Sequence, residues 1–292
     1  QIKILIVGCN GQLGRDCQTA FGARHELMCL DLPEIDIANP DSIRTAMEQF
    51  APEAVVNCAA YTRVDDAEKH PELCHRVNAL GPQYLAQACE AIQARLFHIS
   101  TDYVFDGLRP LGEVYTEDDT PSPLGVYGAT KLAGERPVLA YARGTVLRTA
   151  WLYGATGPNF LLTMLRLARR QPPQPIRVVN DQHGTPTWSW RLALQIAHLL
   201  EVDAPGLYHA TSQGSCTWFV LARRFLEAMG CSVEVVPITT AEYPTPARRP
   251  ANSVLDNRNL KRAGLDVMIP WEEDLDAFVA LNRERWLRRV QS

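Results

Sequence analysis

Tyr127 and Lys131 stand four residues apart, a spacing that on a helix stacks a phenol and an ammonium on one face. A free tyrosine titrates near ~10, and each unit by which a neighbouring cation lowers that value is worth ~1.4 kcal/mol in favour of the phenolate. A tyrosine tuned in this way acts at neutral pH as a general acid to a carbonyl oxygen, or as a base to an alcohol. The same spacing also occurs on exposed helices as a surface aromatic beside a solvated charge. The elements around the pair decide between the two.

Those elements alternate. Residues 2–7 form a continuous β-branched and aliphatic run, residues 12–21 have helical composition, and residues 26–30 form a second apolar run ending at Asp31, which together read as a βαβ unit. The rhythm continues with a helix over 40–50, a strand at 54–57, a helix over 78–91, a strand at 95–100, the helix of Tyr127, and a strand at 145–148. Uniformly apolar strands joined by helices predict an α/β, Rossmann-type, doubly wound parallel sheet. After Arg148 come a helix over 159–170, a proline-rich break at 171–175, a strand at 176–179, and helices over 191–200 and 216–229. This predicts a dinucleotide-binding domain of residues 1–150 plus about 180–210, with strand 206–209 returning to the main sheet. A smaller, discontinuous α/β substrate domain takes about 151–179 and 211–292.

Composition narrows the function. The formal charge of -4 and the scattered arginine pairs give no basic stripe for nucleic acid. No apolar run reaches the length of a bilayer span, and the run at 2–7 is too short for a signal-peptide core, so the expectation is a cytoplasmic protein with no membrane partner. The eight cysteines show no C-x-x-C, and the seven histidines form no paired motif, so no metal site is expected.

Gly8, Gly11 and Gly14 fall between the first strand and the first helix, where a phosphate-binding turn belongs. Glycines there permit close backbone approach, and the amides of the turn through Asn10, Gln12 and Leu13 lie where a pyrophosphate would sit at the helix start. Asp31, at the end of the second strand, is placed for the adenosine ribose; a carboxylate there favours NAD over a 2′-phosphate, although a solvated strand-end aspartate reads the same way. Asp36 and Ile37 are candidates for the adenine, and the small residues Ala59 and Ala60, with Tyr61, for the backbone passing beneath the cofactor.

The order and spacing of the glycine turn, Asn57 with Ala59 and Ala60, Ser100 to Asp102, and Tyr127 with Lys131 resemble the extended short-chain dehydrogenase/reductases. More narrowly, residues 11–14, 100–107, 127–135, 148–154, 181–187 and 249–250 resemble the dTDP-4-dehydrorhamnose reductases. The resemblance implies hydride transfer from NADPH or NADH to the C4 ketone of a dTDP-linked 6-deoxyhexose. It further implies that Tyr127 protonates the developing alkoxide, that Lys131 lowers the Tyr127 pKa and holds the nicotinamide ribose, and that Thr101 donates to the carbonyl oxygen. Asp102, Tyr103, Trp151 and Arg249 are the remaining substrate candidates, Trp151 as a ring against the sugar and Arg249 as a fork for the pyrophosphate.

Tyr103 separates this chain from sugar-nucleotide dehydratases, which carry a second carboxylate at that place for eliminating water. A nucleotide-sugar 4-epimerase and a non-catalytic NAD(P)-binding regulatory subunit remain as alternatives. Some relatives use glutamates for Mg2+ at a dimer interface; the matching positions here are Asp16 and Trp190. That departure argues against both the metal and that mode of dimerisation, and a homodimer of another kind stays open.

Overall fold

The computed structural model describes residues 1–291. Its elements, in chain order, begin with β1 (Lys3–Val7), α1 (Gln12–Gly22), β2 (Glu26–Leu30), α2 (Pro40–Phe50) and β3 (Ala54–Asn57). Next come α3 (Val64–Ala67), α4 (Pro71–His75), a π-helical turn (Arg76–Leu80), α5 (Gly81–Ile92), β4 (Arg95–Thr101), α6 (Val126–Ala140) and β5 (Gly144–Thr149). The later part holds β6 (Leu152–Tyr153), α7 (Phe160–Ala168), β7 (Ile176–Val179), β8 (His183–Gly184), β9 (Thr187–Trp188), α8 (Ser189–Leu200) and β10 (Gly206–His209). It ends with β11 (Cys216–Thr217), α9 (Trp218–Ala228), β12 (Val235–Ile238), α10 (Arg258–Arg262) and α11 (Trp271–Gln291).

Six strands make one sheet in the order β10-β5-β4-β3-β1-β2, and every pairing in it is parallel. The chain moves outward from β1 to β2 and then crosses to β3 on the other side of β1, so a crevice opens above the carboxyl ends of β1 and β3. Both sheet faces are covered. Ile4, Ile6 and Val56 pack with Leu13, Cys17 and Phe21 of α1 and Leu192 and Ile196 of α8. Leu5, Val7 and Val55 pack with Ile43 and Met47 of α2, Leu85 of α5 and Val138 of α6. This two-sided burial is why the strands read as unbroken apolar runs rather than alternating ones.

Local chemistry fixes several boundaries. Asn39 caps α2 by accepting from the Asp41 amide at 3.0 Å ahead of Pro40, and Asn159 caps α7 by accepting from the Leu162 amide at 3.0 Å. The helix expected over 78–91 is longer and less regular than its pattern suggests. It is entered through α4 and the π-helical turn, where the buried Asn78 side chain holds both the amide and the carbonyl of Tyr61, at 2.8 and 3.1 Å.

Beside the main sheet lie three two-stranded ladders, β6–β9, β7–β12 and β8–β11, around a third core of Leu162, Leu165, Phe225, Phe278 and Trp286. Much of that core comes from α11, an element without a counterpart in the sequence reading. Its buried residues Trp271, Leu275, Phe278, Val279, Asn282 and Trp286 recur at helical spacing, with acids in the first turn and arginines in the last. That pattern was available in the sequence. Among the described residues no helix is long and apolar enough to cross a membrane.

One charged cluster lies wholly inside. Glu135 of α6 is 1% exposed and Arg148 of β5 is 2% exposed. They are joined by Arg148 Nη2 to Glu135 Oε1 at 2.7 Å and Arg148 Nε to Glu135 Oε2 at 3.0 Å. Ser100 Oγ of β4 donates to the same carboxylate at 2.5 Å, and the Arg148 guanidinium lies 5.2 Å from the centre of the Phe105 ring. Removing one partner leaves the other charge buried and unpaired. Arg148→Met is therefore expected to cost ~3–5 kcal/mol, read as a lower urea midpoint at unchanged m-value.

Candidate active site

The turn between β1 and α1 is built for close approach. Gly8 sits at φ +77, and a Cβ there would lie 2.6 Å from the Ala59 amide nitrogen; a Cβ on Gly14 would lie 2.3 Å from the Gly8 carbonyl oxygen. The Gly8 and Cys9 amides are spent on the Leu30 carbonyl, whereas α1 begins at Gln12 from an N-cap, Gly11, that has no side-chain cap. That leaves helix-start amides and the positive end of the dipole facing the crevice, which suits a pyrophosphate. The residues therefore fit a dinucleotide.

A cleft of about 650 Å³ runs from this turn across the sheet edge to Tyr127 and beyond. Gly8, Gly11, Gln12, Leu13, Asp31, Asp36, Ile37, Ala59, Ala60, Thr101, Asp102, Tyr127, Lys131 and Trp151 all line it. The Asp31 carboxylate is held in place by two amides, accepting from Asn10 at 2.9 Å and from Leu32 at 2.9 Å. Asp36 accepts from the Ala38 amide at 3.0 Å, and Ile37 packs against Gly81, where a Cβ would come within 2.6 Å of Ile37 Cδ1.

Four expected residues are placed differently. Asn10 is exposed and off the cleft lining, its amide turned to Asp31; Tyr61 is likewise off the lining because Asn78 clamps its backbone, and Thr62 takes its place. Tyr103 stands behind the phenol rather than in the cleft, with its ring edge-on to Tyr127 at 5.7 Å. Arg249 also lies outside the lining. Its fork is closed on Asp65, Nη1 to Oδ1 at 2.9 Å and Nη2 to Oδ2 at 3.1 Å, and it holds the Asp65 carboxyl below its ordinary range. The pyrophosphate role expected of Arg249 would have to break that bidentate pair.

At the far end of β4, Thr101 leaves the sheet and the chain turns over it, with the Tyr103 amide donating to Thr101 Oγ1 at 3.1 Å. α6 crosses above, and Gly128 lets it approach, since a Cβ there would lie 2.1 Å from the Tyr103 carbonyl oxygen. The Thr101 hydroxyl consequently lies at the same end of the cleft as the Tyr127 phenol and favours its ionised form, although the two are 26 positions apart in the chain. Lys131, 3% exposed, donates from Nζ to the Ile99 carbonyl at 2.6 Å and keeps two N–H donors.

The titration behaviour of the pair differs from the expectation. Burial pushes the Tyr127 phenol up, the Thr101 hydroxyl opposes that shift, and the nearby Asp102 carboxyl adds to it. Lys131 is not what sets the phenol: its own ammonium is lowered by burial to about 8, with the Glu135 charge one turn further along α6 opposing the drop. A phenol pushed upward keeps its proton at neutral pH. That condition suits an acid and handicaps a base.

Trp151, expected from the sequence, is held in a cleft wall whose other parts come from the later chain and were not expected. Trp151, at φ +49, stacks on Trp218 with ring centres 3.6 Å apart and planes 10° apart. Gly184 leaves room for it, since a Cβ there would lie 2.5 Å from the Trp151 ring. Gln12 ties this wall to the glycine turn by accepting from the Gly154 amide at 2.8 Å and from Asn159 Nδ2 at 2.7 Å. Nothing in the motif spacing marks Trp218 or Asn159, because each reaches the cleft only through packing. Asp16, considered above in connection with a metal, accepts from Ser189 Oγ at 2.5 Å; among the described residues no three His, Cys, Asp or Glu side chains gather as a metal site.

Gly14→Ala is expected to weaken NADPH binding more than ten-fold, measured by fluorescence titration, because the new methyl meets backbone rather than a movable side chain.

Residues 2–283 match the family model described as RmlD substrate binding domain. The chain is 43% identical over 287 residues to the dTDP-4-dehydrorhamnose reductase of Streptomyces griseus, covering 95% of this chain and 93% of that one. Its structure superposes with a TM-score of 0.92 on a dTDP-4-dehydrorhamnose reductase of Clostridium acetobutylicum, at 40% identity and covering 96% of this chain and 99% of that chain. The Bacillus anthracis dTDP-4-dehydrorhamnose reductase, solved in complex with NADP, matches with a TM-score of 0.92 at 37% identity, again covering 96% of this chain and 99% of that chain. On the glycine cradle, the Thr101, Tyr127 and Lys131 cluster and these matches along nearly its whole length, the chain belongs to the dTDP-4-dehydrorhamnose reductase family, the family of the RmlD substrate binding domain.

Proposed function

We propose that the protein reduces the C4 ketone of dTDP-4-dehydro-L-rhamnose, giving dTDP-L-rhamnose, with Tyr127 as the proton donor. The observation that carries this reading is the convergence of the Thr101 hydroxyl and the Tyr127 phenol at one end of the cleft, with the buried Lys131 ammonium beside them. NADPH or NADH bound along the glycine turn and Asp31 would supply the hydride.

The chain's own residues do the rest. Thr101 and Tyr127 present two hydroxyl groups to one small volume, so a ketone oxygen seated there meets a donor from each. As negative charge grows on that oxygen, the Tyr127 proton passes to it, since an alkoxide is a stronger base than a phenolate. The upward shift of the phenol supports this direction, because the reverse reaction would need Tyr127 to begin ionised. Lys131 is fixed by the Ile99 carbonyl, and its two remaining N–H donors are available to the nicotinamide ribose.

Trp151 and its stacked partner Trp218 offer an apolar wall for a deoxysugar, whose C6 methyl has no hydroxyl to satisfy. With Tyr103 following Asp102, the turn after β4 lacks the second carboxylate that elimination requires, and dehydration is disfavoured.

Tyr127→Phe tests the reading. It should bind NADPH with the affinity of the parent chain and lower kcat for dTDP-4-dehydro-L-rhamnose by ~10²–10⁴-fold, followed as NADPH oxidation. Full activity in that variant would overturn the assignment of the proton donor. Tight NADPH binding by the parent chain without turnover of any dTDP-4-keto sugar would overturn the reductase reading in favour of a regulatory subunit.

A further inference from the structure

Thr101 has a single hydroxyl hydrogen, and more than one acceptor competes for it. In the structure Oγ1 donates to Asp102 Oδ1 at 3.2 Å and accepts from the Tyr103 amide at 3.1 Å, at the end of the cleft that Tyr127 also lines. Ketone reduction as proposed above needs that hydrogen on the substrate oxygen instead. Asp102 is 2% exposed, and its second oxygen accepts from Ser253 Oγ at 2.5 Å. Ser253, 1% exposed, arrives from 151 positions later in the chain and has no part in the turnover described so far.

We propose that Asp102 and Ser253 are positioning residues that decide where the Thr101 hydroxyl points: ionised Asp102 draws the hydrogen away from the reacting oxygen, and protonated Asp102 releases it. This rests on the reductase reading. A protonated carboxyl reverses the hydrogen bond, its O–H donating to Thr101 Oγ1, so that the Thr101 hydrogen is free for the ketone.

The charged and titratable groups around Asp102 allow such a change. Tyr103 is on its own turn and Tyr127 is on α6, both with phenols pushed up by burial. Arg249, beyond Tyr103, is paired with Asp65 of α3, and Lys131 is turned to the Ile99 carbonyl. With those cations engaged elsewhere, burial raises the Asp102 carboxyl to about 7, while the Ser253 and Thr101 hydrogen bonds hold it from rising further.

The test is the pH dependence of kcat for dTDP-4-dehydro-L-rhamnose at saturating NADPH, in the parent chain, Ser253→Ala and Asp102→Asn. Rate should be high where Asp102 is protonated and fall as pH rises through about 7. Ser253→Ala removes a bond that favours the ionised carboxyl, so the falling limb should move to higher pH by about one unit. Asp102→Asn cannot ionise, and the limb should disappear. A loss of rate in Ser253→Ala that is equal at every pH would show a packing role only and overturn the proposal. A limb that survives in Asp102→Asn would overturn it as well. Failure of the parent chain to turn over any dTDP-4-keto sugar is a separate outcome, which removes the reductase reading and this proposal with it.

Discussion

The buried contact between Glu135 and Arg148 sets the geometry on which the rest of the site depends. Glu135 lies on α6, two turns beyond Tyr127 on the same face, and its carboxylate is gripped by Arg148 of β5 and Ser100 of β4. Ser100 and Arg148 are partners across the sheet, each one residue before the strand-end threonine, Thr101 or Thr149. A helix pinned at that point cannot slide along the sheet without leaving two charges unpaired in a dry interior. The register that brings the Tyr127 phenol over Thr101 is thus held from below by electrostatics and from above by the missing Cβ of Gly128.

The cleft depends on a second link, between the first turn of the chain and its later part. Gln12 begins α1, whose start faces the cleft, and its side-chain oxygen is shared by the Gly154 amide and the Asn159 amide group. Asn159 in turn caps α7, and α11 closes the core behind that wall with Phe278 edge-on to Tyr153 at 5.1 Å. The glycine turn and the aromatic wall of Trp151 and Trp218 are thereby parts of one packed unit. A nucleotide seated on the turn meets a surface whose position is already fixed.

Burial shapes the chemistry more than charge proximity does. The Tyr and Lys spacing suggests an ammonium that draws the phenol down, whereas in the structure both groups are moved toward their neutral forms by the same dry surroundings. A phenol that keeps its proton at neutral pH is suited to giving it up rather than to taking one. Asp102 obeys the same physics, and its carboxyl is held near neutrality between two hydroxyl groups. Arg249 shows the opposite case: only partly exposed, it takes the nearest carboxylate, and the Asp65 pair satisfies the fork that was expected to hold substrate.

The parallel sheet, the glycine turn after β1, the carboxylate after β2 and the stacking of Tyr127 on Lys131 are all legible from the order of residues alone. Each of these is a local or periodic property: an apolar run needs burial on both faces, and residues four apart share a helix face whatever surrounds them. The amphipathic spacing of α11 was equally legible, as the recurrence of Trp271, Leu275, Phe278, Val279 and Trp286. Tertiary structure alone decided that Thr101 meets Tyr127, that Ser253 meets Asp102, that Trp218 stacks on Trp151, and that Arg249 is closed on Asp65. Those pairs are distant in the chain and carry no spacing rule. Which polar group a side chain finally engages depends on what packing brings within hydrogen-bond reach and on how little water is left to compete.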